Sequence, residues 1–163
     1  MNRGKIHNAD VDKVWKMIKE TNICMLVTPS GAKIHARPMS TIARPEQSEI
    51  VMLTEKSSNK DHELASRPSV ALNFCNGNHD FVSLQGIADI SDERALIRGS
   101  WNPGAPAFWP QGPEDPNIEA IIVTPTEAEY WADSSGLFSS VKMLFAIATG
   151  QAPDLGEHKK IAL

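Results

Sequence analysis

Two stretches of the chain hold the residue types needed to grip a phosphate. The first is His35-Ala36-Arg37-Pro38-Met39-Ser40-Thr41. The second is Leu53-Thr54-Glu55-Lys56-Ser57-Ser58-Asn59-Lys60-Asp61, which reads as a strand running into a helix start. A helix start leaves backbone N–H groups unpaired and carries partial positive charge, so it can receive an anion. Ser57 and Ser58 would donate to phosphate oxygens, and Lys60 would neutralise charge. Arg37, from a neighbouring strand, would add a forked donor. The plainer reading of the same residues is capping, since Ser58 with Asp61 three residues on resembles a capping box.

The elements that must position these groups follow from hydrophobic periodicity. Val11, Val14, Trp15 and Ile18 form one apolar stripe and predict a helix over Asn8–Thr21, with Asp10 and Asp12 early and Lys19 late. Ile23–Thr28 reads as a strand, followed by the turn signal Pro29-Ser30-Gly31. Lys33–Ala43 alternates with period two, and Pro38 in its middle demands an edge or a bulge. Ile50–Thr54 is a further strand, and Ser57–Ser66 a short helix. Val70–Cys75 and Phe81–Ile90 form a hairpin around Asn76-Gly77-Asn78. Asp92–Arg98 reads as a helix, Ile118–Thr124 and Glu127–Trp131 as two strands, and Ser140–Ala148 as a last helix. Residues 99–117 hold two tryptophans and five prolines, too proline-rich for helix and too aromatic for a free linker. An ordered loop packed on the body is the expectation. Together these elements predict a mainly β (α+β) domain over 1–150, a small barrel of about six to seven antiparallel strands with peripheral helices. Residues 151–163 read as a loose tail.

The 163 residues suffice for one core without disulfides or a structural metal. No apolar run approaches the ~18 residues of a membrane span, and the N-terminus lacks the apolar segment of a signal peptide. Cys24 and Cys75 sit inside apolar runs, which favours buried, reduced thiols and a cytoplasmic location. The five histidines show no metal-ligand spacing, and there is no Gly-x-Ser-x-Gly, Walker loop or Gly-x-Gly-x-x-Gly. A net charge of −4 speaks against general nucleic-acid binding. Residues 99–141 contain no Lys or Arg and six acids, so an anion site must draw its cations from elsewhere in the chain.

The order of helix, strand, Arg37-Pro38-Met39-Ser40 strand, Leu53-Thr54 strand end, Ser57-Ser58-Asn59-Lys60 helix start and Ser83-Leu84-Gln85-Gly86 strand resembles the FMN-binding split-barrel superfamily. Within it the chain is most similar to the general stress protein branch of the pyridoxamine 5'-phosphate oxidase-like proteins. Trp101-Asn102-Pro103, the Phe108–Pro116 stretch and Glu129-Tyr130-Trp131 carry the same resemblance. It implies a split β-barrel homodimer with FMN in clefts between subunits. By position, Arg37, Pro38, Met39 and Ser40 would lie along the ring and ribityl chain, Leu53 and Thr54 would touch them from the next strand, and Ser57, Ser58 and Lys60 would hold the phosphate. Such a cofactor needs a cationic clamp at one end and a flat apolar slot at the other. Trp109 would either close that slot from the partner chain or anchor its own loop.

The chain also departs from the family's oxidases. Asn59 stands where they carry an arginine, and no arginine follows Arg98, so the usual C-terminal cations for a phosphorylated substrate are missing. The resemblance therefore implies an FMN-dependent oxidoreductase, with a reduced nicotinamide as a candidate donor, and not a true pyridoxamine phosphate oxidase. No residue stands out as a general acid or base. Two alternatives stay open: a dimeric module that carries or senses FMN without turnover, and a dimeric interaction protein whose flavin site has decayed.

Overall fold

The computed structural model describes residues 9–56, 59–77, 80–132 and 157–163, as backbone alone at 59–62. Helix α1 (Ala9–Thr21) buries Val14, Trp15, Met17 and Ile18. The strands are β1 (Ile23–Ser30), β2 (Lys33–Ser40), β3 (Ile42–Arg44), β4 (Glu49–Glu55), β5 (Ser69–Cys75), β6 (Phe81–Ser91), β7 (Ile118–Ala132) and β8 (Glu157–Ala162). Helix α2 (Asn59–Ser66) follows β4, and α3 (Arg94–Gly99) follows β6. Among the described residues no helix is long and apolar enough to cross a membrane.

Every strand pairing is antiparallel, in the order β2-β1-β5-β6-β7-β4-β3, with β8 added to β7. The two ends of that order, β2 and β3, are consecutive in the chain and separated by Thr41 alone. The alternating stretch read as one strand is thus one strand that changes partner: its first part pairs with β1, its second with β4. The sheet closes on itself there. Pro38 is tolerated because β2 is an end of the ladder, hydrogen-bonded to β1 alone.

The main core fills the barrel and the space under α1. Leu26, Met52, Leu72, Leu84, Ile121 and Tyr130 are among its fully buried members. A second, smaller cluster lies outside it, where Ile97 of α3 packs on Val51, Ile118 and Ala120, with Leu53, Trp101 and Trp109 against it. So β4 is apolar on both faces, which is why its run Ile50–Leu53 lacks alternation.

Three expectations need correction. The segments read as two strands, Ile118–Thr124 and Glu127–Trp131, are one continuous β7. Pro125 sits where the β6 register shifts between Gln85 and Gly86, and this irregularity accommodates it without ending the strand. The chain from 151 is not loose throughout, because Glu157–Ala162 pairs with β7. Lys159 there contacts Asp10 at 2.9 Å and Glu157 at 3.0 Å, and Glu157 also pairs with Lys13. Burial pushes the ionisation of Tyr130 upward, and so do the acids its hydroxyl lies between, Glu157 (2.8 Å) and Asp10 (2.9 Å). Finally, Cys75 is exposed, and only Cys24 is buried. Burial pushes the Cys24 thiol up to about 12. The helix read over Ser140–Ala148 lies outside the described residues.

Gly86 is required by a close backbone approach. A Cβ there would stand 2.7 Å from the Thr124 carbonyl oxygen and 2.7 Å from a Val123 methyl. Overpacking of this kind typically costs ~1–3 kcal/mol. Gly86→Ala is expected to lower stability by about 2 kcal/mol, read as a shifted midpoint in urea, whereas Gly77→Ala, with open space at its Cβ, should not.

Candidate functional site

Where the strand changes partner at Thr41, β2 leaves β4 without a neighbour on that side. A slot of about 410 Å³ opens in the gap. Its walls are Pro38, Met39, Ser40 and Ile42 from the bent strand, and Leu53, Thr54 and Glu55 from the end of β4. Asn102, Gly104, Ala105, Phe108 and Trp109 of the proline-rich loop form the third side. Among the described lining residues only Glu55 is ionisable.

The proline-rich loop is held as a wall by specific ties. The Arg94 guanidinium donates to the Asp115 carbonyl at 2.8 Å and the Ile118 carbonyl at 2.5 Å. Asn102 Oδ1 accepts from the backbone N–H of Gly104 and Ala105, fixing the entry to the 3-10 turn Ala105–Ala107. The Trp101 and Trp109 rings are 6.3 Å apart, and Phe108 and Trp109 are 5.9 Å apart, both tilted. Trp109 thus anchors its own loop and lines the slot of its own chain. Phe108 stays 78% exposed at the rim.

Arg37 is placed differently from Pro38. Its side chain lies on the other face of β2, toward α2, and its Nη2 donates to Thr28 Oγ1 (2.8 Å) and Glu63 Oε2 (2.7 Å). Thr28 Oγ1 donates to the same Glu63 oxygen at 2.7 Å, and His35 Nδ1 lies 2.7 Å from Glu63 Oε1. This cluster ties α2 to β1 and β2 around one carboxylate that is 6% exposed. Burial alone would push the Glu63 carboxyl up. The hydrogen bonds from Thr28, Arg37 and His35, with the Arg37 charge, outweigh it and hold the group at about 2.

Six of the residues expected from sequence therefore meet at one slot: Pro38, Met39, Ser40, Leu53, Thr54 and Trp109. Arg37 does not line it. Ser57 and Ser58 lie outside the described residues, and Lys60 enters as backbone in the first turn of α2. Sequence reasoning missed Ile42, Glu55, Asn102, Gly104, Ala105 and Phe108 as lining residues, and Glu63 as the partner of Arg37. Asn102 and Phe108 were legible in principle, as neighbours of the tryptophans in the aromatic loop.

Comparison with known proteins finds a matching family and similar folds. The family model described as "Pyridoxamine 5'-phosphate oxidase like" matches residues 9–154. Protein bli-3 of Neurospora crassa is 25% identical over 124 residues, 70% of this chain and 59% of that one. The chain thus spans less than two thirds of this relative. The general stress FMN/FAD binding protein of Xanthomonas citri is 26% identical, with a TM-score of 0.70 over 83% of this chain and 97% of that one. General Stress Protein 26 of Bacillus anthracis is 22% identical, with a TM-score of 0.68 over 76% and 94%.

The Glu63 cluster carries a pH signature. Its folded carboxyl titrates below the ordinary 4.5, so it contributes stability that is complete above that value and lost as pH falls toward 2. Acid unfolding is expected to steepen below pH 4.5. Glu63→Gln should flatten that part of the profile while lowering stability at pH 7, by up to the ~3–5 kcal/mol typical of breaking a buried pair. Equal steepness in both proteins would contradict this assignment.

Proposed function

We propose that this chain, which belongs to the pyridoxamine 5'-phosphate oxidase-like family, binds FMN in the slot beside the bent strand and serves as a flavin-dependent oxidoreductase. The observation that carries the reading is the slot: a gap near 410 Å³ with mostly apolar walls and a few polar groups, lined in part by the end of β4, the strand that precedes α2 in the chain. Pro38, Met39, Leu53 and Trp109 would sandwich a planar ring, and Ser40, Thr54 and Asn102 would meet its polar edge. Ser57, Ser58 and Lys60 would hold the terminal phosphate at the start of α2. The Xanthomonas citri protein, named for FMN or FAD, supports the cofactor class. A single terminal phosphate suits one helix start, which favours FMN.

When bound, FMN supplies the electron chemistry. The chain's own part is to orient the ring, exclude water from one side and leave the other open to a donor such as a reduced nicotinamide. Among the described residues, the slot offers no acid or base beyond the exposed Glu55. That same lack supports a second reading, a module that carries or senses FMN without turnover. The absence of arginine after Arg98 speaks against pyridoxamine phosphate as substrate. Free Cys24 and Cys75 suit a reducing cytoplasm.

A homodimer is part of the proposal. The outer face of β1 and β2 presents Ile23, Met25, Ile34, Ala36 and Pro38 to solvent, with Ile34 74% exposed. Met25 stands opposite Pro38, so these side chains form one contiguous patch. Exposed patches of this kind commonly mark interfaces, and a second copy of the chain is the partner proposed. Met25→Glu with Ile34→Glu is expected to elute at monomer mass where the parent elutes as a dimer. A monomeric parent would end this part of the reading.

Purified protein is expected to be yellow, or to turn so with added FMN. Trp109→Ala should weaken FMN binding about tenfold, the scale of one lost aromatic stack of ~1–1.5 kcal/mol. A colourless protein that ignores added FMN would sink the flavin proposal. Bleaching by a reduced nicotinamide, then recovery with a small acceptor, supports the oxidoreductase; stable colour supports the module.

A further inference from the structure

The buried carboxylate of Glu63 remains unused by the reading above. It is 6% exposed, yet it keeps its charge, because Thr28, Arg37 and His35 all turn toward it. Burying a carboxylate is costly unless it is paired and hydrogen-bonded, and here both conditions are met. A structural tie between α2 and the strands would be served as well by apolar packing. What apolar packing could not do is hold an arginine by one edge.

Both protein bonds from Arg37 leave through Nη2. Its Nη1 and Nε bond no described residue, and its side chain is 22% exposed. A guanidinium is a planar fork, so fixing one nitrogen to two acceptors fixes the direction of the others. Arg37 and Met39 lie on the same face of β2, two residues apart, and Met39 lines the slot. The guanidinium thus meets α2 at Glu63, on the strand face that also carries the slot residue Met39.

We infer that Glu63 is a positioning residue: its buried carboxylate, with Thr28, holds Arg37 by Nη2 so that the other edge of the guanidinium takes the terminal phosphate of the bound flavin. This rests on the FMN reading and assigns its selectivity for a phosphorylated flavin over the unphosphorylated one. Two effects of Glu63 oppose each other. Its negative charge alone would weaken an anion nearby, whereas its hold on Arg37 strengthens the same contact. Without it, the mostly buried guanidinium keeps a single hydroxyl acceptor and turns toward water. Orientation wins in this assignment.

The test compares FMN with riboflavin, which lacks the phosphate, by flavin fluorescence titration of the full chain. The parent is expected to prefer FMN by at least about a hundredfold. Glu63→Gln should cut that preference about tenfold or more with riboflavin affinity unchanged, and Arg37→Ala should do the same. Loss of affinity for both flavins alike would mark Glu63 as structural and overturn the inference. So would an unchanged preference, or tighter FMN binding from the removed charge. If Glu63→Gln does not fold, Thr28→Val decides, with a smaller fall in preference expected and an unchanged preference overturning the inference. A parent that binds neither flavin defeats the FMN reading itself. A parent that binds both equally defeats the phosphate contact and leaves the slot.

Discussion

One strand of this barrel has to serve two neighbours, and the rest of the molecule follows from how it does so. Over β2 it is hydrogen-bonded to β1, and over β3 to β4. A closed antiparallel barrel has no free edges, but a strand that changes partner midway cannot also be in register with both along its whole length. The ladder is therefore interrupted beside Thr41. Its backbone N–H turns instead to the Asn22 carbonyl at the end of α1, at 2.8 Å. The interruption leaves backbone and side chains of two strand ends facing each other across a gap that no ladder fills. That gap is the slot. Pro38 fits the same logic: it removes a donor from a position that the partner change has already left unpaired on one side.

The charges are distributed to match. Residues 99–141, which include the third wall of the slot, carry no basic side chain. Among the described residues, Arg37 stands against α2 through Glu63, and Lys56 follows the end of β4. On the proposed reading, an anionic end of a ligand would lie toward α2 and away from the aromatic loop. Lys56 itself is held by Asp92 at 3.1 Å. Arg37 is neutralised by Glu63 at one edge, so its contribution is direction more than net charge. The slot end of the site is walled by packed elements before a ligand arrives, which limits the ordering cost of binding.

The sequence made the elements legible because they rest on local patterns. The α1 stripe, the period-two strand with its proline and the hairpin at Asn76-Gly77 all depend on neighbours a few residues apart. The slot residues Pro38, Met39, Ser40, Leu53 and Thr54 were legible through order and spacing together. What was not legible depends on register. The continuity of β7 across Pro125 is decided by Gly86 on the opposite strand, which gives room for the irregularity. The place of β8 is decided by side chains more than a hundred residues away in the sequence, on α1. Nothing in the sequence sets Glu63 apart from the other acids of the chain. Only the packing of α2 on β1 and β2 reveals that it meets three partners. Exposure of Cys75 has the same origin: it lies on the outward face of β5, opposite Phe81, and an apolar run does not say which face a residue takes.

The proline-rich loop shows how a segment without regular structure can serve as a precise wall. Its prolines restrict the unfolded chain and so reduce the entropy lost on ordering. They also deprive the backbone of donors, which leaves carbonyls in need of partners. Arg94 supplies those partners, with bonds to the Asp115 and Ile118 carbonyls from a helix that is itself packed on β4 and β7 through Ile97. Trp101 and Trp109 seat the near end of the loop on the same cluster. The wall is therefore bolted to the strand that forms the opposite side of the slot. Leu53 belongs to both, touching the small outer cluster and the slot together. Because one residue joins them, the width of the slot is set by core packing, and a ligand of the wrong thickness must work against that packing to enter.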